Sequence, residues 1–195
     1  MTDHKNWISE YLKALGNVIE HFPIEELANF ITMIEDVREN EKTLFICGNG
    51  GSWATAAHMV CDLGKNTRMQ GTKRMRVIGL GDNIPSLTAY ANDEGFDRVF
   101  SEPLISLMKP GDVLLAISGS GNSPDILRAI TAAKSIGGKT LGLTGFEGGK
   151  MKALVDHCLV IPSNSMEMVE DFHMIVDHIL TTCLRDEEKA SRIEE

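Results

Sequence analysis

The sequence predicts an α/β domain of three layers: a five-stranded parallel sheet with helices on both faces, preceded by a pair of helices. Two patterns carry that expectation. Five short runs rich in Ile, Val and Leu, at 43–47, 76–80, 113–117, 140–143 and 158–161, lie between turn residues, and none alternates polar with apolar along its length. Such runs suit strands buried on both faces, as in a parallel sheet. The stretches between them are long enough for crossover helices, and strand–helix alternation with right-handed connections gives the layers.

Taken in order, the elements begin with an apolar stripe at helical spacing: Trp7, Ile8, Tyr11, Leu12, Leu15, Val18, Ile19 and Phe22. Pro23 ends it, and Leu27, Phe30, Ile31 and Ile34 form the next. These helices cross over from no earlier strand, so their apolar faces must cover the sheet or bury themselves against another subunit. A helix over 52–63 follows the first strand. Another over 124–136 carries Ile126, Leu127 and Ile130 at helical spacing and closes at Gly137-Gly138. The last helix starts near Met166 and has Val169, Phe172, Val176, Ile179, Leu180 and Cys183 in a stripe. The charged end, 185–195, is expected to fray. No repeat or second domain is visible, so residues 1–195 read as a single domain, with 1–40 for assembly and 41–187 as the α/β core.

Nineteen Lys and Arg against 28 Asp and Glu leave a net charge of −9. That balance argues against sequence-independent nucleic-acid binding, which needs cations to displace phosphate counterions. A small anion remains open as a ligand if backbone amides, helix ends or a metal hold it. With 43% hydrophobic residues and interspersed charges, a packed core is expected. The opening residues, Met1 to Trp7, lack the apolar run of a signal peptide, and no segment approaches the ~18 apolar residues of a membrane span. Cys47, Cys61, Cys158 and Cys183 are widely spaced without a C-x-x-C pair, as in reduced cytoplasmic proteins. The expectation is a cytoplasmic protein with neither nucleic-acid nor membrane partners.

In an open α/β sheet, ligands sit beyond the carboxyl ends of the strands. Three of those ends carry Gly-rich loops: Gly48-Asn49-Gly50-Gly51-Ser52, Ser118-Gly119-Ser120-Gly121-Asn122-Ser123-Pro124 and Thr144-Gly145-Phe146-Glu147-Gly148-Gly149. In the second, Ser123 fits an N-cap, Pro124 the first helical position and Asp125 the first turn. Ser118, Ser120 and Ser123 offer hydroxyls at the positive end of that helix, the requirements of a phosphate monoester. An ordinary strand-to-helix turn also uses Gly and Ser; three serines converging on one helix start favour phosphate. No G-x-x-x-x-G-K-[ST] appears, and Gly48-x-Gly50 meets Trp53 where a dinucleotide fingerprint places its third glycine.

His58 and Asp62, four apart, project from one helix face. A second ionisable cluster, Glu167, Glu170, Asp171, His173, Asp177 and His178, lies on the last helix. A solvated face explains several of these, whereas His178, between Val176 and Ile179, is expected to face inward. Histidines and carboxylates on two helices can build a Zn²⁺ site or an acid/base pair. Glu170 and His178 are about 12 Å apart along a straight helix. To share one ion they need a subunit interface or an irregular helix; Glu170-x-x-His173 is the nearer pair.

The stretches CGNGGSWATAAHMVCDLGK, GDNIPSLTAYANDEGF, KPGDVLLAISGSGNSPDILRAI, LGLTGFEGGKMKALVD and VEDFHMIVDHIL together resemble the phosphoheptose isomerases of the sugar isomerase (SIS) fold, in that family's order, from about Cys47 to Leu180. The resemblance implies a flavodoxin-like five-stranded sheet and a homotetramer with active sites between subunits. It also implies interconversion of sedoheptulose 7-phosphate and D-glycero-D-manno-heptose 7-phosphate. It places Ser118, Gly119, Ser120 and Ser123 in the phosphate loop, and Asn49, Gly50, Gly51 and Ser52 in the sugar-contacting first loop. Asn92 and Asp93 match the family's Asn-Asp pair, and Glu170 stands at a substrate position. Zinc ligands fall on His58, Asp62, Glu170 and His178, and catalytic base and acid on Asp62 and His178; as a metal ligand Asp62 is not also a freely available base, so its two roles compete.

Departures from the family's pattern are specific. Asp62 stands where Glu is usual, Glu170 where Gln is usual, Thr55 where many members carry Asp, and Asn66, beside Lys65, at an Arg position. The implied chemistry is aldose–ketose isomerisation through a cis-enediol(ate), with the phosphate loop positioning C1 and C2. The alternatives are an isomerase of another phosphosugar and a non-catalytic SIS binding protein, such as a tetramer that associates with the replication initiator. Retained histidines and carboxylates at the site positions favour chemistry.

Overall fold

The computed structural model describes residues 3–185. The charged end expected to fray therefore lies outside the described residues, beyond Arg185. Elements run α1 (His4–Glu20), α2 (Ile24–Glu39), β1 (Thr43–Cys47), α3 (Gly51–Cys61), a π turn (Asp62–Asn66), β2 (Arg76–Gly79), α4 (Ile84–Asp93) and α5 (Ser101–Leu107). They continue β3 (Val113–Ile117), α6 (Pro124–Ile136), β4 (Lys139–Thr144), α7 (Met151–Leu154), β5 (His157–Val160) and α8 (Met166–Arg185). All five strands are parallel, in the order β2-β1-β3-β4-β5. This is the doubly wound order whose switch point lies between β1 and β3.

The strand residues divide by parity between two cores. Leu44, Ile46, Leu115 and Ile117 point to the face covered by α2, α3 and α8, while Phe45, Leu114 and Ala116 point to the face covered by α5 and α6. Burial on both faces holds for β1 and β3 throughout. It fails for β2, whose residues alternate between exposed and half-buried, and for β5, where Leu159 alone is fully buried, because the strand order puts these two at the sheet's edges. In α6, Pro124 takes the first turn, where its missing N–H costs nothing, and Gly137 closes the helix in the left-handed conformation at φ 87°.

The helix predicted over 52–63 is interrupted. α3 ends at Cys61 and passes into the π turn, where Thr67 Oγ1 donates to the Leu63 carbonyl and Asn66 Nδ2 to Asp62 Oδ1 at 2.8 Å. A π turn widens the helix by one residue and is common where a side chain must be re-aimed. α8, by contrast, is continuous over 20 residues. α1 lies loosely on the body, with Val18 its one buried residue.

Candidate active site

The loops after β1 and β3 meet at the switch point and line a cavity of about 270 Å³. Its walls are Asn49, Gly50, Gly51, Ser52, Ser118, Gly119, Ser120, Ser123 and Glu170, together with Ile117 and Met166. Eleven residues converge there from β1, β3 and α8, and nine of them are among the substrate positions read from the sequence.

Local contacts explain the composition. At Gly51 a side chain would collide with the Glu170 carboxylate, so glycine lets α3 and α8 approach at the pocket. Gly121, at φ 63°, sits against the backbone carbonyl of Gly148, where no Cβ fits. Ser123 occupies the N-cap of α6 but makes no capping hydrogen bond; its hydroxyl lies 3.3 Å from that of Ser118. The first turn of α6 is thereby left without a side-chain acceptor from its cap, which suits an anion. The third glycine loop, 144–149, does not line the cavity. It braces the serine loop instead: Gly145 N–H and Thr144 Oγ1 donate to the Gly119 carbonyl, and Met151 N–H donates to that of Gly121.

Asp125 was legible only as a first-turn acid. Its carboxylate is buried and accepts from Asn49 Nδ2 at 2.7 Å, tying the β1 loop to the start of α6. Asn92 and Asp93 lie exposed at the end of α4, hydrogen-bonded to each other at 2.7 Å, and do not line the cavity.

Farther along α3 and α8 stands an ionisable cluster. One donor atom from each of His58, Asp62, Asp177 and His178 lies within 4.8 Å of the other three. His58 Nε2 is 3.6 Å from Asp62 Oδ2 and 3.9 Å from Asp177 Oδ2, and the two imidazoles meet edge-on at 5.4 Å. Glu170 is not in this group. On a continuous α8 it sits two turns before His178, at the pocket end, as the helix rise demands.

The expectation that His178 faces inward is corrected: His178 is exposed, and Asp177 takes the buried phase of α8. At 100° per residue, His173, Asp177, Leu180 and Leu184 share the inward stripe with Val169 and Val176. That spacing was the available signal for Asp177. Burial first, then the Asp62 charge, push the Asp177 carboxyl up to about 7, while His58 pulls it down. Among the described residues neither of its oxygens makes a full hydrogen bond, the Thr181 hydroxyl being the one donor close enough to pull it down further. His173, also fully buried, has neither ring nitrogen in a full hydrogen bond among the described residues, and burial lowers it to about 4 against a weaker upward pull from the Thr144 backbone. The Glu170–His173 pairing does not form a ligand cluster among the described residues. Asp171 accepts from Tyr11 Oη at 2.6 Å and Glu167 from Ser165 Oγ at 2.8 Å, so both serve the surface.

The sequence and the architecture match known proteins. A SIS domain family model matches residues 7–145. A phosphoheptose isomerase of Helicobacter pylori (strain P12) is 38% identical over 181 residues, covering 93% of this chain and 90% of the relative. The structure of a phosphoheptose isomerase from Francisella tularensis superposes with a TM-score of 0.88 at 26% identity, covering 95% of this chain and 100% of that one. The corresponding structure from Neisseria gonorrhoeae gives 0.85 at 27%, covering 92% and 97%. The chain belongs to the SIS domain family and, within it, to the phosphoheptose isomerases.

Proposed function

We propose that this isomerase converts D-sedoheptulose 7-phosphate to D-glycero-D-manno-heptose 7-phosphate through a cis-enediol. The observation that carries the reading is a length. From Glu170 in the serine pocket to His178 in the His–Asp cluster, α8 advances about 12 Å. A seven-carbon phosphate ester, fully extended, spans roughly 10 Å from C1 to phosphorus at the rise of an extended chain. With its phosphate among Ser118, Gly119, Ser120 and Ser123, its C1–C2 end falls toward the cluster, and a three-carbon ester stops short.

In this arrangement Asn49, Gly50, Gly51, Ser52 and Glu170 take the sugar hydroxyls, and Asn92 and Asp93 reach the site from a neighbouring subunit of a homotetramer. Asp62 removes the C1 proton while His178 gives a proton to the C2 oxygen, forming the enediol. The C1 hydroxyl then returns its proton to His178 and the carboxyl of Asp62 delivers a proton to C2, leaving the aldose. Asn66 holds Asp62 through Oδ1 and so fixes the carboxylate's direction. The donor set of two imidazoles and carboxylates, with an orphaned buried Asp177, fits a divalent ion such as Zn²⁺. When bound, Zn²⁺ supplies Lewis acidity toward the carbonyl and holds His58, Asp62 and His178 in place. We place the reaction in the cytoplasm, as the four unpaired cysteines lead one to expect.

The test is turnover of D-sedoheptulose 7-phosphate beside shorter ketose phosphates, for wild type, Asp62→Asn and His178→Ala. Each variant is expected to lose at least about 10²–10⁴-fold in kcat with its assembly unchanged by light scattering. Wild-type rates in either variant, or a preference for a shorter ketose phosphate, would overturn the reading.

A further inference from the structure

We infer that the metal centre of this chain is a four-ligand site made by one subunit, His58, Asp62, Asp177 and His178, in which Asp177 takes the place of Glu170. The inference deepens the proposed function and rests on it only for the metal's role; with an ion bound, Asp62 and His178 would act on the substrate through the carboxylate oxygen and the ring nitrogen that do not ligate. Three observations point to it. First, the four donors already stand within 4.8 Å of one another. Tetrahedral zinc, at bonds of about 2.0–2.1 Å, spaces its ligand atoms roughly 3.4 Å apart. The measured separations of 3.6 and 3.9 Å around His58 Nε2 need only side-chain rotation to reach that spacing.

Second, Asp177 is fully buried and, among the described residues, neither oxygen makes a full hydrogen bond; the Thr181 hydroxyl is the one donor near it, and it faces His58 and Asp62 rather than a Lys or Arg. A buried carboxylate without a hydrogen-bond donor is costly unless a cation completes it. Thr181, one turn on and on the same side of α8, aims its hydroxyl at that carboxylate without closing a full hydrogen bond, and so is placed to orient it once a cation engages it. Third, Glu170 is engaged elsewhere. Its carboxylate sits against Gly51 in the serine pocket, two turns before His178 on an unbroken helix. Ligation by Glu170 would require a second subunit to bring its own copy to the cluster; ligation by Asp177 requires none. Glu170 then remains free to accept hydrogen bonds from substrate hydroxyls.

The experiment uses the full-length assembled protein stripped with chelator and titrated with Zn²⁺ by calorimetry, the bound metal being counted by atomic emission. Wild type should take up Zn²⁺, Glu170→Gln should match it within about threefold, and Asp177→Asn should bind at least about 10-fold more weakly, since removing even a group that only supports a ligand costs about 10–100-fold in affinity. Thermal unfolding without metal guards against a folding defect. Asp177→Asn, relieved of an uncompensated carboxylate, should melt at or above the wild-type midpoint, and Zn²⁺ should no longer raise it. The inference is overturned if wild type binds no Zn²⁺, if Glu170→Gln loses metal as Asp177→Asn should, or if Asp177→Asn binds normally or melts below the wild type. Sedoheptulose 7-phosphate turnover on the same samples separates the two claims: activity in a wild type that takes up no zinc sinks the ligand set and leaves the isomerase reading standing.

Discussion

Ser123 illustrates how a residue's position and its role can separate. At the start of a helix a serine normally closes the first turn, and its loss costs about 1 kcal/mol. Here the hydroxyl makes no such bond and turns toward Ser118 at the cavity. Ser123→Ala should therefore leave the unfolding midpoint nearly unchanged. It should lower kcat/KM for the phosphosugar by about 10–100-fold, since a hydrogen bond to a charged group is worth about 1.5–3 kcal/mol. Calorimetry and steady-state kinetics on the same preparation check this; a lowered midpoint with intact kinetics would make Ser123 a cap after all. The serines were legible in the sequence because a strand end, glycines and a helix start are adjacent along the chain. Asp177 was harder to assign because Asp177 and His178 both lie among apolar neighbours, and a few degrees of helix phase decide which faces inward. Asp125 was harder still: its partner Asn49 is 76 residues away, joined only by the fold.

At the scale of elements, α8 carries two ionisable groups on its inward stripe, and that has a cost with a definite sign. His173 is buried and neutral, its folded pKa lowered by burial to about 4, against about 6.5 for the unfolded chain. Between those values the unfolded chain binds the extra proton, so stability rises with pH, is fully present above about 6.5, and is lost as pH falls toward 4. At ~1.4 kcal/mol per pH unit the whole window is worth about 3 kcal/mol. Denaturant unfolding from pH 7 to 4 should show that decline in wild type and a flatter profile in His173→Leu. The replacement also removes two unsatisfied ring nitrogens from the core and should not destabilise the protein at pH 7. An unchanged acid slope in the variant would assign the loss to carboxylates elsewhere. The strands were readable because central strands of a parallel sheet are apolar on both faces. β2 and β5 departed from that rule because edge position is a property of strand order, which local composition does not encode. The π turn also escaped detection: the widening lies in the backbone bonding of Asp62–Asn66, which no residue type in that stretch encodes.

For the whole molecule, the unresolved balance is on the outside. Trp7, Ile8, Leu12 and Ile19 on α1 and Ile24 at the start of α2 are each more than half exposed, with Trp7 and Ile24 at 70%. Beside them α1, α2 and α8 enclose an apolar groove of about 480 Å³, with Phe22, Ile31, Phe172 and Ile179 in its walls. A soluble chain rarely leaves so large a contiguous apolar surface bare, and α1 gains little from the body it rests on, since Val18 alone is buried. In the proposed homotetramer that cover is a second copy of the same helices, because an isologous contact pairs an apolar face with itself and requires no other partner. Asn92 and Asp93 stand away from the cavity of their own chain, so the proposed assembly would have a catalytic consequence if a neighbour's copy completed the pocket. Trp7→Glu combined with Leu12→Glu places two charges on the exposed stripe without touching the core. The double variant should elute and scatter light as a smaller species than wild type and keep its helical content. It should also lose most of its sedoheptulose 7-phosphate turnover at concentrations where the wild type is assembled. Full activity in a dispersed double variant would show that each chain works alone, and an unchanged mass would move the contact to the groove between α2 and α8.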